Sequence, residues 1–129
     1  MSDKKVILLV DDDVDFIDGN KDLLEAEGFE IICAFDGEEA LSAVQIRKPD
    51  LIVLDVMMKT ETEGMEVSRR LGEDPDFSDI PVILLTGIRR AMNLPFMFEP
   101  DGKYLPVKAV LEKPVQPLKL ITEIRKWIE

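Results

Sequence analysis

Hydrophobic positions along this chain follow two rhythms. Val6–Val10 (VILLV), Leu51–Val56 (LIVLDV) and Val82–Leu85 are apolar at almost every position and stop abruptly at polar residues. Runs of this kind predict strands covered on both faces, as in a parallel sheet. Phe29–Phe35 (FEIICAF) and Val107–Leu111 predict two further strands. Between them the spacing becomes helical. Phe16, Ile17, Leu23 and Leu24 mark a helix over 14–27 that Gly28 stops, with Gly19 and Asn20 weakening its middle. A second helix is predicted from Glu38 to Arg47, after an Asp36-Gly37 turn and before Pro49, and a third from Met65 to Leu71, followed by a polar connector over 72–79. Pro117 suits a first helical turn, and Leu118, Ile121, Ile124 and Ile128 predict the apolar face of a closing helix anchored by Trp127. The stretch 88–106 has the poorest periodicity and contains Pro95, Pro100, Asp101-Gly102 and Pro106, so it predicts loop with at most one short helix. Five strands alternating with helices define a (βα)5 α/β layout, with a parallel sheet sandwiched between helical layers.

Composition narrows the function. The 129 residues suit one domain over 1–129, without an internal repeat, linker or output module. With 27 acidic against 16 basic side chains, the net charge of −11 repels nucleic-acid phosphates and anionic membranes, which argues against both as partners. The apolar stretch Val6–Val10 is too short for a leader or a membrane span. One cysteine, Cys33, cannot form an internal disulfide, fits a reducing cytoplasm and is expected to be an inert core residue. The chain has no histidine, which excludes an internal imidazole base, nucleophile or metal ligand.

Polar residues stand where the predicted strands end: Asp11 and Asp12 after the first, Asp55 on the third, Thr86 after the fourth and Lys113 after the fifth. Open parallel α/β sheets bind ligands beyond these carboxyl ends. Three carboxylates gathered there would repel one another. A lysine offsets part of that charge, and a hard divalent cation such as Mg²⁺, which takes oxygen ligands and keeps open positions, offsets the rest.

Those residues carry a resemblance. VDD after the first strand, a lone aspartate in LIVLDVMM, a threonine after the fourth strand and EKP after the fifth resemble the response-regulator receiver family over nearly the whole chain. The Asp12-to-Asp55 spacing (55 − 12 = 43) is the family's. The resemblance implies a flavodoxin-like sheet of order 2-1-3-4-5 and a phosphoacceptor switch, not a turnover enzyme. By it Asp55 accepts the phosphoryl group, and Asp11, Asp12, Asp55 and the Met57 backbone carbonyl hold Mg²⁺. Lys113 pairs with Asp55, Thr86 bonds the phosphoryl group, Gly87 leaves room for it, and Lys113-Pro114 is a cis bond. The implied donor is a phosphohistidine on a sensor kinase or phosphotransfer protein. A cytoplasmic monomer or weak dimer acting on another protein is expected.

Three features depart from the family. Lys59 replaces a proline four residues after Asp55, and Gly64 falls one position late. The Thr86–Lys113 interval (113 − 86 = 27) is long, so the fourth helical segment is expected to be short or replaced by loop. Val110 stands where the family has an aromatic switch residue, so the usual coupling to an output face cannot be carried over. Met57 and Ile88, both apolar, would flank an attacking water without orienting it, which predicts a slowly hydrolysing aspartyl phosphate. Two other functions fit the same fold: a pseudo-receiver binding module without phosphotransfer, and an aspartate-nucleophile phosphatase. A calcium loop starting at Asp11 fails, because Phe16 occupies its glycine position and Asp22 its bidentate glutamate position.

Overall fold

A computed structural model describes residues 4–56, 63–87 and 107–128. Its elements are β1 (Val6–Val10), α1 (Val14–Ala26), β2 (Glu30–Ala34), α2 (Gly37–Ile46), β3 (Leu51–Asp55), α3 (Glu63–Glu73), β4 (Val82–Thr86), β5 (Ala109–Glu112) and α4 (Pro117–Ile128). The strands form one parallel sheet in the order β2-β1-β3-β4-β5. This is the flavodoxin-like α/β fold. The segment 88–106, where a short helix or loop is expected, lies outside the described residues, as do Met57 and Ile88.

Strand periodicity divides the core in two. Leu8, Val10, Ile52, Leu54, Val82 and Leu84 point to the layer of α2 and α3, where Ala40, Val44, Met65, Val67 and Leu71 meet them. Ile7, Leu9, Leu51, Val53, Ile83 and Leu85 point to the layer of α1 and α4, against Ile17, Leu24, Leu120, Ile121 and Ile124. Successive strand residues face opposite ways, so a strand needs apolar side chains throughout only when both faces are covered.

Helix ends are chemically explicit. Asp13 caps α1, accepting from the Asp15 and Phe16 amides at 3.1 and 3.2 Å. Asp36 caps α2 by accepting from the Glu39 amide at 2.8 Å, while Glu39 reaches back to the Phe35 amide at 3.0 Å. Replacing Asp36 with alanine should cost about 1 kcal/mol, read as a lower urea midpoint at unchanged slope. At the end of α1, Gly28 takes φ 100°, and the Phe29 and Gly28 amides reach back to the Leu24 and Glu25 carbonyls.

Two expectations for α4 need correction. Leu118 is 72% exposed, and Leu120 takes its place in the core. At about 100° per residue, Leu120, Ile121, Ile124 and Ile128 make one stripe, and Leu118 falls roughly 60° beyond its edge. Trp127 is no buried anchor: it is 37% exposed, donates to Glu123 at 2.9 Å and lies under the Lys108 ammonium. Cys33 is only partly buried on the edge strand β2, and desolvation pushes its thiol above the ordinary range. The Lys113-Pro114 bond is cis.

Candidate functional site

The carboxyl ends of β1, β3, β4 and β5 open onto one acidic pocket. Asp11 follows β1 and is 1% exposed, its backbone amide bonded to the Ala34 carbonyl at 3.1 Å. Its Oδ1 accepts from the Asp13 amide at 3.0 Å, which ties the pocket to the cap of α1. Asp12 is exposed. Asp55 ends β3 opposite Leu85 of β4 and is 4% exposed. One carboxylate oxygen from each of Asp11, Asp12 and Asp55 lies within 4.8 Å of the others.

At that separation, two carboxylates repel by about 3 kcal/mol at an effective dielectric of ~20. Lys113 brings the compensating charge. Its backbone amide donates to the Thr86 carbonyl at 2.8 Å, and its Nζ donates to Asp11 Oδ2 at 2.6 Å. The expected partner Asp55 is reached only at 3.7 Å, beyond hydrogen-bond length. The closest contact therefore goes to the most buried carboxylate, whose other oxygen the Asp13 amide already occupies. Among the described residues the cluster sets three carboxylates against the Lys113 ammonium. The donors are all hard oxygens, two on fixed strand ends and one at the surface, which fits a small hard divalent cation.

Thr86 is buried at the end of β4, opposite Glu112 in register. Among the described residues Gly87 is uncrowded: of these, an added Cβ would meet the Lys113 Cβ, at 4.0 Å. Sequence reasoning missed two contacts. Phe16, on the first turn of α1, places its ring under the Lys113 ammonium, 4.6 Å from the centroid. Gly64, on the first turn of α3, packs directly on the Asp55 backbone: a Cβ there would lie 2.1 Å from the Asp55 carbonyl oxygen. Its amide also donates to the Val56 carbonyl at 2.8 Å. Neither contact has a local signature, because each joins residues brought together by the fold.

Comparison with known proteins identifies the family. The family model of the response regulator receiver domain matches residues 7–125. The chain belongs to the response-regulator receiver family, whose members are signalling switches of two-component systems that generally bind Mg²⁺ in an acidic pocket. It is 36% identical, over 97% of its length, to a probable transcriptional regulator, ycf27, of Cyanophora paradoxa, and spans 48% of that relative. It is 29% identical to the polar-differentiation response regulator DivK of Brucella anthropi, over 96% of both chains. It thus spans about half the length of ycf27 and of the similar regulator PhoB of Pseudomonas aeruginosa, but nearly all of DivK. A CheY-like receiver domain from Methanospirillum hungatei superposes with a TM-score of 0.80 at 28% identity, covering 95% of this chain and 92% of that one. No helix among the described residues is long and apolar enough to cross a membrane.

Proposed function

We propose that this chain is a phosphoacceptor switch that receives a phosphoryl group on Asp55 from a phosphohistidine of a sensor kinase or phosphotransfer protein. The observation that carries this is the convergence of Asp11, Asp12 and Asp55 within 4.8 Å, with the Lys113 ammonium between Asp11 and Asp55. An Asp55 carboxylate oxygen attacks phosphorus in line, the nitrogen–phosphorus bond breaks, and the imidazole leaves with a proton from solvent. Charge in such a transfer spreads over the equatorial oxygens, so positioned cations contribute most of the rate. Asp11, Asp12, Asp55 and the Met57 carbonyl would hold Mg²⁺, which when bound neutralises charge on the phosphoryl oxygens. Lys113 follows those oxygens, Thr86 donates its hydroxyl to one of them, and Gly87 leaves the approach open.

The added charge then changes a surface read by another protein. One receiver unit over 1–129, cytoplasmic and monomeric or weakly dimeric, is the form proposed, with no nucleic acid bound directly. Relatives such as the DNA-binding response regulator MtrA of Mycobacterium tuberculosis are about twice as long as the stretch they share with this chain. The net charge of −11 argues against phosphate contacts by the shared stretch itself.

Incubation with acetyl phosphate and Mg²⁺ should add one phosphoryl mass to the intact chain. Asp55→Asn should abolish the gain, and chelation of the divalent ion should suppress it. No adduct at all would sink this reading and favour a binding module, whereas repeated phosphoester turnover would favour a hydrolase.

A further inference from the structure

The Lys113 ammonium sits in a seat with three sides. Asp11 Oδ2 is 2.6 Å away, Asp55 Oδ1 is 3.7 Å away, and the Phe16 ring closes the third side with its centroid at 4.6 Å. The ring and the lysine's own backbone are both pinned. The Phe16 amide is held by the Asp13 cap at 3.2 Å and its carbonyl by the Asn20 side chain at 2.8 Å. The ring packs on the core cluster beneath α1, and the Lys113 backbone is fixed to Thr86.

We infer that Phe16 is a positioning residue whose ring face keeps the Lys113 ammonium in the pocket when its carboxylate partners are engaged elsewhere. This rests on the phosphoacceptor reading for its effect on rate, though not for its effect on the lysine. The two carboxylates that attract Lys113 are those proposed to change partners during the reaction. A flexible four-carbon stem released by both would swing into solvent, where the ammonium is strongly hydrated. An aromatic face attracts a cation through its quadrupole without offering an oxygen that a metal or phosphoryl group could claim. That attraction persists while the carboxylates are occupied, so the lysine stays within reach of an incoming phosphoryl oxygen. An aliphatic side chain of the same bulk would fill the space but not hold the charge.

The test separates quadrupole from bulk. Phenylalanine with one, two or three ring fluorines, placed at position 16, nearly keeps its shape while the negative potential of its face falls stepwise. Two readouts apply. The first is the ring-current shift of the Lys113 Hε protons in NMR spectra of the whole chain, with and without Mg²⁺. The second is the rate of phosphoryl gain from acetyl phosphate. Phe16→Leu should erase the Lys113 shift and slow phosphorylation about fivefold, the fluorinated series should fall in graded steps, and Phe16→Tyr should behave like the parent. A flat response of the Hε shift across the fluorinated series would overturn the proposal, as would a Lys113 shift that survives Phe16→Leu. If the parent chain gains no phosphoryl group, the phosphoacceptor reading fails by itself, and the Hε shift still decides whether the ring holds the lysine.

Discussion

Lys113→Met is expected to lower stability by about 2–4 kcal/mol in the absence of divalent cations and to slow phosphoryl gain about a hundredfold. The stability loss follows from what the lysine leaves behind. Asp11 is 1% exposed and would lose its ammonium partner while two other carboxylates lie within 4.8 Å. Breaking one side of a buried pair costs more than the pair is worth, because the remaining charge stays desolvated. The Lys113 side chain is 24% exposed, so the cost falls toward the lower part of that range. Mg²⁺ should narrow the difference. A cation that binds the folded pocket stabilises it by mass action, and without Lys113 on Asp11 Oδ2 it meets no competitor there. The melting temperature of the variant should therefore rise more steeply with added Mg²⁺ than that of the parent. A variant as stable as the parent in chelator would show that the lysine does not balance the acidic cluster.

Gly64→Ala should be the most damaging small substitution in the described structure, costing about 3 kcal/mol or more. Its Cβ would stand 2.1 Å from the Asp55 carbonyl oxygen and 2.6 Å from the Val56 Cα. Both obstacles are backbone, so no side-chain rotation relieves them. Either the end of β3 shifts or α3 moves away and the 2.8 Å bond from the Gly64 amide to Val56 is lost. Both responses displace Asp55, so phosphoryl gain should fall together with the urea midpoint. Gly19→Ala is the matching control. Nothing lies within 4 Å of a Cβ there, and alanine inside a helix is favoured over glycine by about 0.5–1 kcal/mol. Equal responses at the two positions would refute the backbone-contact explanation.

How much of this was legible in the sequence differs between residues. Val6–Val10 and Val82–Leu85 could be read as strands because a segment buried on both faces must be apolar at every position. The Asp36-Gly37 turn could be read as punctuation before a helix, and there the Asp36 carboxylate satisfies an amide that the helix itself cannot. Leu118 was misplaced because a three-residue step to Ile121 matches helical spacing, whereas Leu120 and Ile124 mark where the stripe is centred. Trp127 illustrates a different limit. A large ring near a chain end gives no local sign of whether it faces the core or, as here, a lysine and solvent.

The sequence by itself determined the alternation of strands and helices and which polar residues stand at strand ends, because both are written in local periodicity. It also ruled out an imidazole supplied by this chain, since the residue is missing altogether. Only the tertiary structure decided that Lys113 bonds Asp11 rather than Asp55, that Phe16 lies beneath the ammonium, and that Gly64 is seated on the Asp55 backbone. The partners in these contacts are 102, 97 and 9 residues apart (113 − 11, 113 − 16 and 64 − 55). Their distances are fixed to a fraction of an ångström by how layers pack across the sheet, and no pattern within either segment encodes that packing.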